Sequence, residues 1–184
     1  MIQRRHIMLA GAALVAGCSS VSDPAKASAE RREIDTRVDS ALGDLYTNAS
    51  GTRELASASH GILVFPQVVT VGLLVGGSHG NGALRQGNNT VGYYSLNSGS
   101  VGLLAGAQER TLFVFFMTQD ALDRFLQSDG WTIGGDASAV VVDAGAMARF
   151  DKANTPPVVG LVRNQQGLMA NLSLDGTKIT PLAI

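Results

Sequence analysis

Cysteine is nearly absent: Cys18 is the only one in 184 residues, so no intrachain disulfide can form and no cysteine cluster can hold a metal. Histidine is scarce too. Beyond the first few residues only His60 and His79 occur, without the i,i+4 spacing of a zinc helix and with no Gly-x-Ser-x-Gly elbow to supply a nucleophile for either to activate. Asp120 and Asp123 read as the polar face of a helix. Charged residues make up 16% of the chain and nearly cancel, leaving a net charge of −1, which gives nucleic acid no basic stripe to bind. No apolar run is long enough to cross a bilayer, since the longest, residues 7–16, is about half of the roughly 20 residues a spanning helix needs. The run from Gly76 to Gly82 lacks the Gly-Lys-Ser/Thr ending of a P-loop and offers an anion at most a nest of backbone amides. No enzyme class and no metal or organic cofactor is expected from these residues.

What is present begins at the N-terminus. Arg4 and Arg5 precede the apolar stretch 7–16, which ends in Val15-Ala16-Gly17-Cys18, the charged, apolar and small-residue order of an export signal. The last four residues resemble the lipobox of bacterial lipoproteins. That resemblance implies a signal peptide over residues 1–17, cleavage before Cys18, and a diacylglycerol and an N-acyl chain on Cys18 as the only prosthetic group. Ser19 following the cysteine implies the outer membrane. Residues 18–29, small and polar with Pro24, read as a lipidated tether, and 30–184 as one domain.

Within that domain, Ile34, Val38, Leu42, Leu45 and Ala49 recur at helical spacing, with Glu33/Arg37 and Arg31/Asp35 as i,i+4 pairs on the solvated face. Gly51 ends this helix, and a short second one is expected over 52–59. After Gly61 come short runs rich in valine, leucine and aromatics: 62–65, 71–75, 90–94, 101–105, 112–117, 139–142, 158–162 and 168–174. Glycine, asparagine and serine separate them, as in an antiparallel sandwich or barrel. Asp175-Gly176 is a hairpin pair, so the last three strands are expected to form a meander. One helix interrupts the sheet, capped by Thr118, with Leu122, Phe125 and Leu126 on one face. The 22 glycines include a near repeat, Val71-Gly72-Leu73-Leu74 and Val101-Gly102-Leu103-Leu104. Glycine inside an apolar strand marks either a sharp bend or a close approach by a ligand, and the pattern fits both.

The ordered set His60-Gly61-Ile62-Leu63-Val64-Phe65-Pro66, the Gly76 to Gly82 run, Gly92-Tyr93-Tyr94, Gly102 to Gly106, Ile133-Gly134-Gly135-Asp136-Ala137-Ser138 and Gly167-Leu168-Met169-Ala170-Asn171-Leu172 resembles the SYLF domain over about residues 32–179. The resemblance implies a non-enzymatic domain that binds phospholipid, phosphoinositides among eukaryotic members, and in some of those actin filaments. Actin is not an expected partner of an exported lipoprotein. Nor is a polybasic anchor expected, because Arg31, Arg32 and Arg37 alternate with Glu30, Glu33, Asp35 and Asp39, whereas such anchors cluster about four to eight cations. Candidate headgroup contacts are Arg85, Arg110, Arg163 and Lys178, each beside an expected turn or strand end where a cation can meet a phosphate; any one alone reads more readily as a solubilising edge charge, and at least one is expected to line an apolar groove. The expected fold is α+β, with N-terminal helices packed on a strongly curved, mainly antiparallel, glycine-rich sheet, barrel-like or sandwich. The expected function is phospholipid binding without catalysis, the alternative being an envelope or host-facing protein that presents a protein-binding surface.

Overall fold

The computed structural model describes residues 23–72, 75–101, 106–136, 140–141, 155–164, 167–169, 174 and 176–184. Cys18 and the export signal lie outside the described residues, as do Leu73, Leu74, 102–105 and 170–173.

Helix α1 (Pro24–Asn48) starts where proline loses nothing by lacking an N–H, and Asp23 caps it by accepting from the Ala25 amide at 3.0 Å. Residues 24–29, read from sequence as tether, are therefore helical. Ile34, Val38 and Leu45 are its buried stripe, flanked by partly buried Ala41, Leu42 and Ala49. Helix α2 (Thr52–Ala58) follows Gly51 and buries Leu55. Helix α3 (Gln119–Leu126) is capped by Thr118 as the sequence suggests, with Leu122 and Phe125 buried. Leu126 turns outward instead, at 41% exposure.

Among the described residues nine strands form one sheet: β1 (Gly61–Gly72), β2 (Val75–Gln86), β3 (Asn89–Val101), β4 (Gly106–Phe116), β5 (Trp131–Thr132), β6 (Val140–Val141), β7 (Val158–Asn164), β8 (Gly167–Met169) and β9 (Lys178–Pro181). Their order is β5-β9-β3-β2-β1-β4-β7-β6, with β8 on β7, and every pairing is antiparallel except β6 with β7. The α+β class and the curled, mainly antiparallel sheet thus agree with the sequence.

Three details differ from it. The run 62–65 and the start of the run 71–75 are one strand, because β1 continues through Pro66 to Gly72, with register shifts on both neighbours. Two β1 residues, Pro66 and Gln67, there oppose the single Thr111 of β4, a bulge that tolerates proline's missing donor. The Thr111 hydroxyl donates to the part-buried Pro66 carbonyl at 3.0 Å. Second, the Gly76 to Gly82 run, which falls between the expected strands 71–75 and 90–94, is itself strand; β2 reverses at Gly87 instead, whose φ of +59° suits a two-residue hairpin into β3. Third, the meander stops at β8. Gly176 has the left-handed φ of a turn, +77°, but β9 crosses to pair with β3 and β5.

Alternation along the strands buries both faces. Leu63, Phe65, Leu112, Val114, Phe116 and Val162 point inward and meet Leu122 and Phe125 of α3, Trp131 of β5 and Ile179 of β9. Ile62, Val64, Ala83, Phe113, Phe115 and Leu161 point outward, under α1 and α2. Among the described residues no helix is long and apolar enough to cross a membrane.

Candidate functional site

The outer face of the sheet has two parts, distinguished by how closely α1 lies on it. From Ile34 onward the helix is seated, and a polar lock fixes its position. Arg85 of β2, 8% exposed, donates to Asp39 Oδ1 at 2.6 Å and to the Asp35 carbonyl at 3.3 Å. The Asp35 carboxylate accepts from Thr90 at 2.7 Å and from the Tyr93 hydroxyl at 2.8 Å. Asp35 thus serves β3 and the sheet, not Arg31 as the helical spacing suggested, while Glu33 and Arg37 do pair, at 2.7 Å. Arg85 is occupied by this lock and is not open to a headgroup. Arg85→Gln is expected to lower the unfolding free energy by about 1 kcal/mol, because it removes the hydrogen bonds of a buried side chain to Asp35 and Asp39 while the Asp39 carboxylate is 67% exposed and stays hydrated; urea denaturation measures the loss. Lipid retention per folded molecule should not change.

The lock also has a signature in alkali. Burial raises the pKa of Tyr93 above 10, helped by its hydrogen bond to Asp35 and that carboxylate's charge. Burial likewise raises Tyr94, and raises Tyr46 against the opposing charge of Arg53. These are all three tyrosines of the chain. The unfolded chain ionises its tyrosines first, so the associated stability is intact below pH 10 and falls as pH rises beyond it. A titration at the tyrosinate absorbance should therefore show its ionisation displaced upward in the folded protein relative to the chain unfolded in urea.

Ahead of Ile34 the helix is not seated. None of the residues from Pro24 to Glu33 is buried, and a stretch of that length spans about 15 Å. Beneath it lies an open groove of about 1240 Å3, floored by the far halves of β1, β2 and β3. Strand register supplies the floor in cross-strand rows, Val69–His79–Asn97 and Val71–Gly77–Gly99, whose members share one face. Val69 and Val71 are 38% and 55% exposed. The His79 ring accompanies them, its Nδ1 2.9 Å from Asn97 Oδ1; with that oxygen accepting, Nδ1 carries the proton and Nε2 is left for a ligand. Asn81, two residues on, has a buried Oδ1 without a partner among the described residues. At the bulge Arg37 Nη1 donates to Gln67 Oε1 at 2.8 Å, so a side chain from α1 marks the closed end of the groove.

The glycines of β2 serve two purposes. A Cβ on Gly80 would stand 2.6 Å from the Gln67 carbonyl oxygen, and one on Gly82 would run into the Val64 carbonyl and come within 2.7 Å of Phe65. Those two let the β1 bulge close onto β2, which is the bend that in-strand glycine suggested. Gly77 and Gly99 have no such neighbours: a Cβ on the first would meet only the Ser98 carbonyl, at 3.7 Å, and on the second nothing within 4 Å.

The four candidate cations do not converge. Lys178, paired with Asn97 in register, lines the groove. Arg110 and Arg163 share a recess of about 180 Å3 with Asp44 and Glu109, two carboxylates that offset them. Arg110 also donates to Thr70 at 2.8 Å, which ties it to the sheet. Sequence reading missed Glu30, Asn97 and the role of Asp35. Only the alternation of polar residues along β3 hinted at Asn97, since cross-strand partners leave no local trace.

Neither His60 nor His79 forms an ion pair with a carboxylate among the described residues. No cluster of three metal-ligating side chains occurs among those residues either. No curated protein matches the chain. Residues 97–182 match a family model, Ysc84, described as Las17-binding protein actin regulator; that segment brings β3, β4, α3 and β9, and with them Asn97, Gly99 and Lys178 of the groove. Over these residues, a little under half of the chain, it is similar to the Ysc84 family, the SYLF class that its ordered glycine motifs resemble.

Proposed function

We propose that this domain binds phospholipid in the groove under the start of α1, without catalysing a reaction on it, and that acylated Cys18 holds it to the outer membrane. The groove itself carries the reading: a trough of ligand size, above the roughly 300–1,000 Å3 common for small-molecule sites, with valines left open on its floor. The SYLF resemblance supports the same ligand class. Two or three acyl chains on Cys18 suffice for stable anchoring, at about 0.8 kcal/mol per buried methylene. A non-catalytic role fits His79, whose ring is held by the Asn97 amide rather than by a carboxylate. No cofactor beyond the covalent lipid is part of the proposal.

The test uses the full chain carrying Cys18→Ser, purified without detergent. Native mass spectrometry should find co-purified phospholipid, and flotation should carry the protein up with vesicles. A protein with neither property would overturn lipid binding. The anchor is tested separately: the native chain should partition with membranes and carry acyl mass on its N-terminal peptide, and recovery of unmodified Cys18 in the soluble fraction would refute it. The family description, Las17-binding and actin regulator, favours as second reading a protein partner on the same exposed face, and a chain that captures protein but no lipid would select it.

A further inference from the structure

Building on that lipid reading, we infer that the groove selects a phospholipid with a dipolar, primary-ammonium headgroup of the phosphoethanolamine kind, seated with an acyl chain across Gly77 and Gly99, its phosphate at Lys178 and its ammonium at Glu30.

The acyl seat follows from the unexplained glycines. Glycine in a strand sacrifices stability and packing, and Gly80 and Gly82 do so because a side chain has no room. Gly77 and Gly99 are direct partners on neighbouring strands, exposed, with space above them and without positive φ. Nothing in the backbone requires glycine at either. Together they keep the trough open beside Val69 and Val71, which a methylene chain would cover.

The headgroup follows from the charges that remain uncommitted. On the helix wall, Glu33 and Arg37 neutralise one another, which leaves Lys26 and Glu30. On the floor the cationic lining residue is Lys178. None of these forms an ion pair within 4 Å among the described residues. The groove therefore offers Lys178 on the sheet side and the unpaired Glu30 carboxylate on the helix side, with Lys26 at its mouth, which complements a phosphate joined to an ammonium. A polyphosphorylated inositol would instead place several negative charges against Glu30 and Glu33. A primary ammonium can donate hydrogen bonds to Glu30, and a quaternary one cannot. The anchor supplies the lipid: Asp23 is five residues from Cys18, at most about 17 Å of extended chain, so the groove mouth beside Lys26 stays close to the bilayer.

The experiment is flotation of the full chain carrying Cys18→Ser with vesicles of phosphatidylcholine alone, or of phosphatidylcholine mixed with phosphatidylethanolamine, with phosphatidylglycerol or with a phosphatidylinositol phosphate. The ethanolamine vesicles should bind best. Gly99→Val alone, and with Gly77→Val, should reduce binding to them about tenfold, the equivalent of losing contact with roughly two methylenes. The unfolding midpoint should be unchanged or raised, since valine suits an exposed strand better than glycine. Glu30→Gln should bring ethanolamine binding down to the choline level, and Lys178→Gln should weaken binding to every phospholipid. If the valine variants bind like the parent, the acyl seat is wrong while lipid binding stands. If the parent prefers the anionic vesicles, or Glu30→Gln keeps the ethanolamine preference, the headgroup assignment is wrong. If the parent binds no vesicle, the lipid reading fails and this inference with it.

Discussion

Replacing Gly82 with alanine is expected to cost about 4 kcal/mol or more, in the exceptional range for a single substitution, and to leave little folded protein at 37 °C. The new methyl would occupy the place of the Val64 carbonyl oxygen and press on the Phe65 ring. Neither can give way cheaply. Val64 sits in the β1 ladder between β2 and β4, and Phe65 is fully buried in the inner core. Relief requires β1 to move off β2 at the bulge, and the bulge is where Thr111 and Arg37 hold Pro66 and Gln67. A typical domain has only about 5–15 kcal/mol of stability in total, so the loss should appear as a collapse of the urea midpoint and of soluble yield. Gly99→Ala is the control: with nothing within 4 Å of its new methyl, it should be neutral or stabilising by up to about 1 kcal/mol. Equal effects of the two substitutions would show that the close approach at Gly82 is not real.

That contrast also shows how far the sequence could be read. Helices were legible because their signals are local: the Ile34, Val38, Leu45 stripe and the Thr118 cap each lie within a few residues. Curvature was legible in kind, since glycines inside apolar runs do mark the bend, at Gly80 and Gly82. It was not legible in place. Proline and glycine both read as breaks, so Pro66 split β1 in two and the Gly76 to Gly82 run fell between two expected strands. In the structure each is the answer to the other, proline in the bulge and glycine opposite it. That pairing exists only once β1 and β2 are aligned.

The remaining misses are all non-local. The return of β9 to β3 leaves no mark near Asp175 and Gly176, whose turn chemistry would serve a hairpin equally well. Arg85 looked like any strand-end cation, and its carboxylate partner at Asp39 is 46 positions away. Of the four cations proposed for a headgroup, only Lys178 lines the groove, because the sheet scatters residues that share nothing but their type. The groove needed knowledge that α1 has no buried residue ahead of Ile34, although the onset of the apolar stripe at that residue was visible.

Phe125→Ala should rank with Gly82→Ala in its effect, for a different reason. Phe125 carries α3 into the inner core and touches three rings that come from three strands: Tyr94 of β3 at 4.8 Å between centroids, Phe116 of β4 at 5.0 Å, and Trp131 of β5 edge-on at 5.4 Å. In the sheet order β5 and β4 are separated by β9, β3, β2 and β1, so this ring fills the space across which the curl closes. Truncation removes about 3–5 kcal/mol in burial and cavity terms, and each lost aromatic pair adds to that about 0.5–1.5 kcal/mol. The cavity cannot collapse easily, since its walls belong to different strands of one hydrogen-bonded sheet. The urea midpoint reports the loss. Trp131, the only tryptophan in the chain, reports its location: its emission should shift to the red in the folded variant as water reaches a ring that is 3% exposed in the parent. A variant with an unchanged midpoint and an unchanged emission maximum would mean that the curl is held by the ladder hydrogen bonds alone, and that α3 merely rests on it.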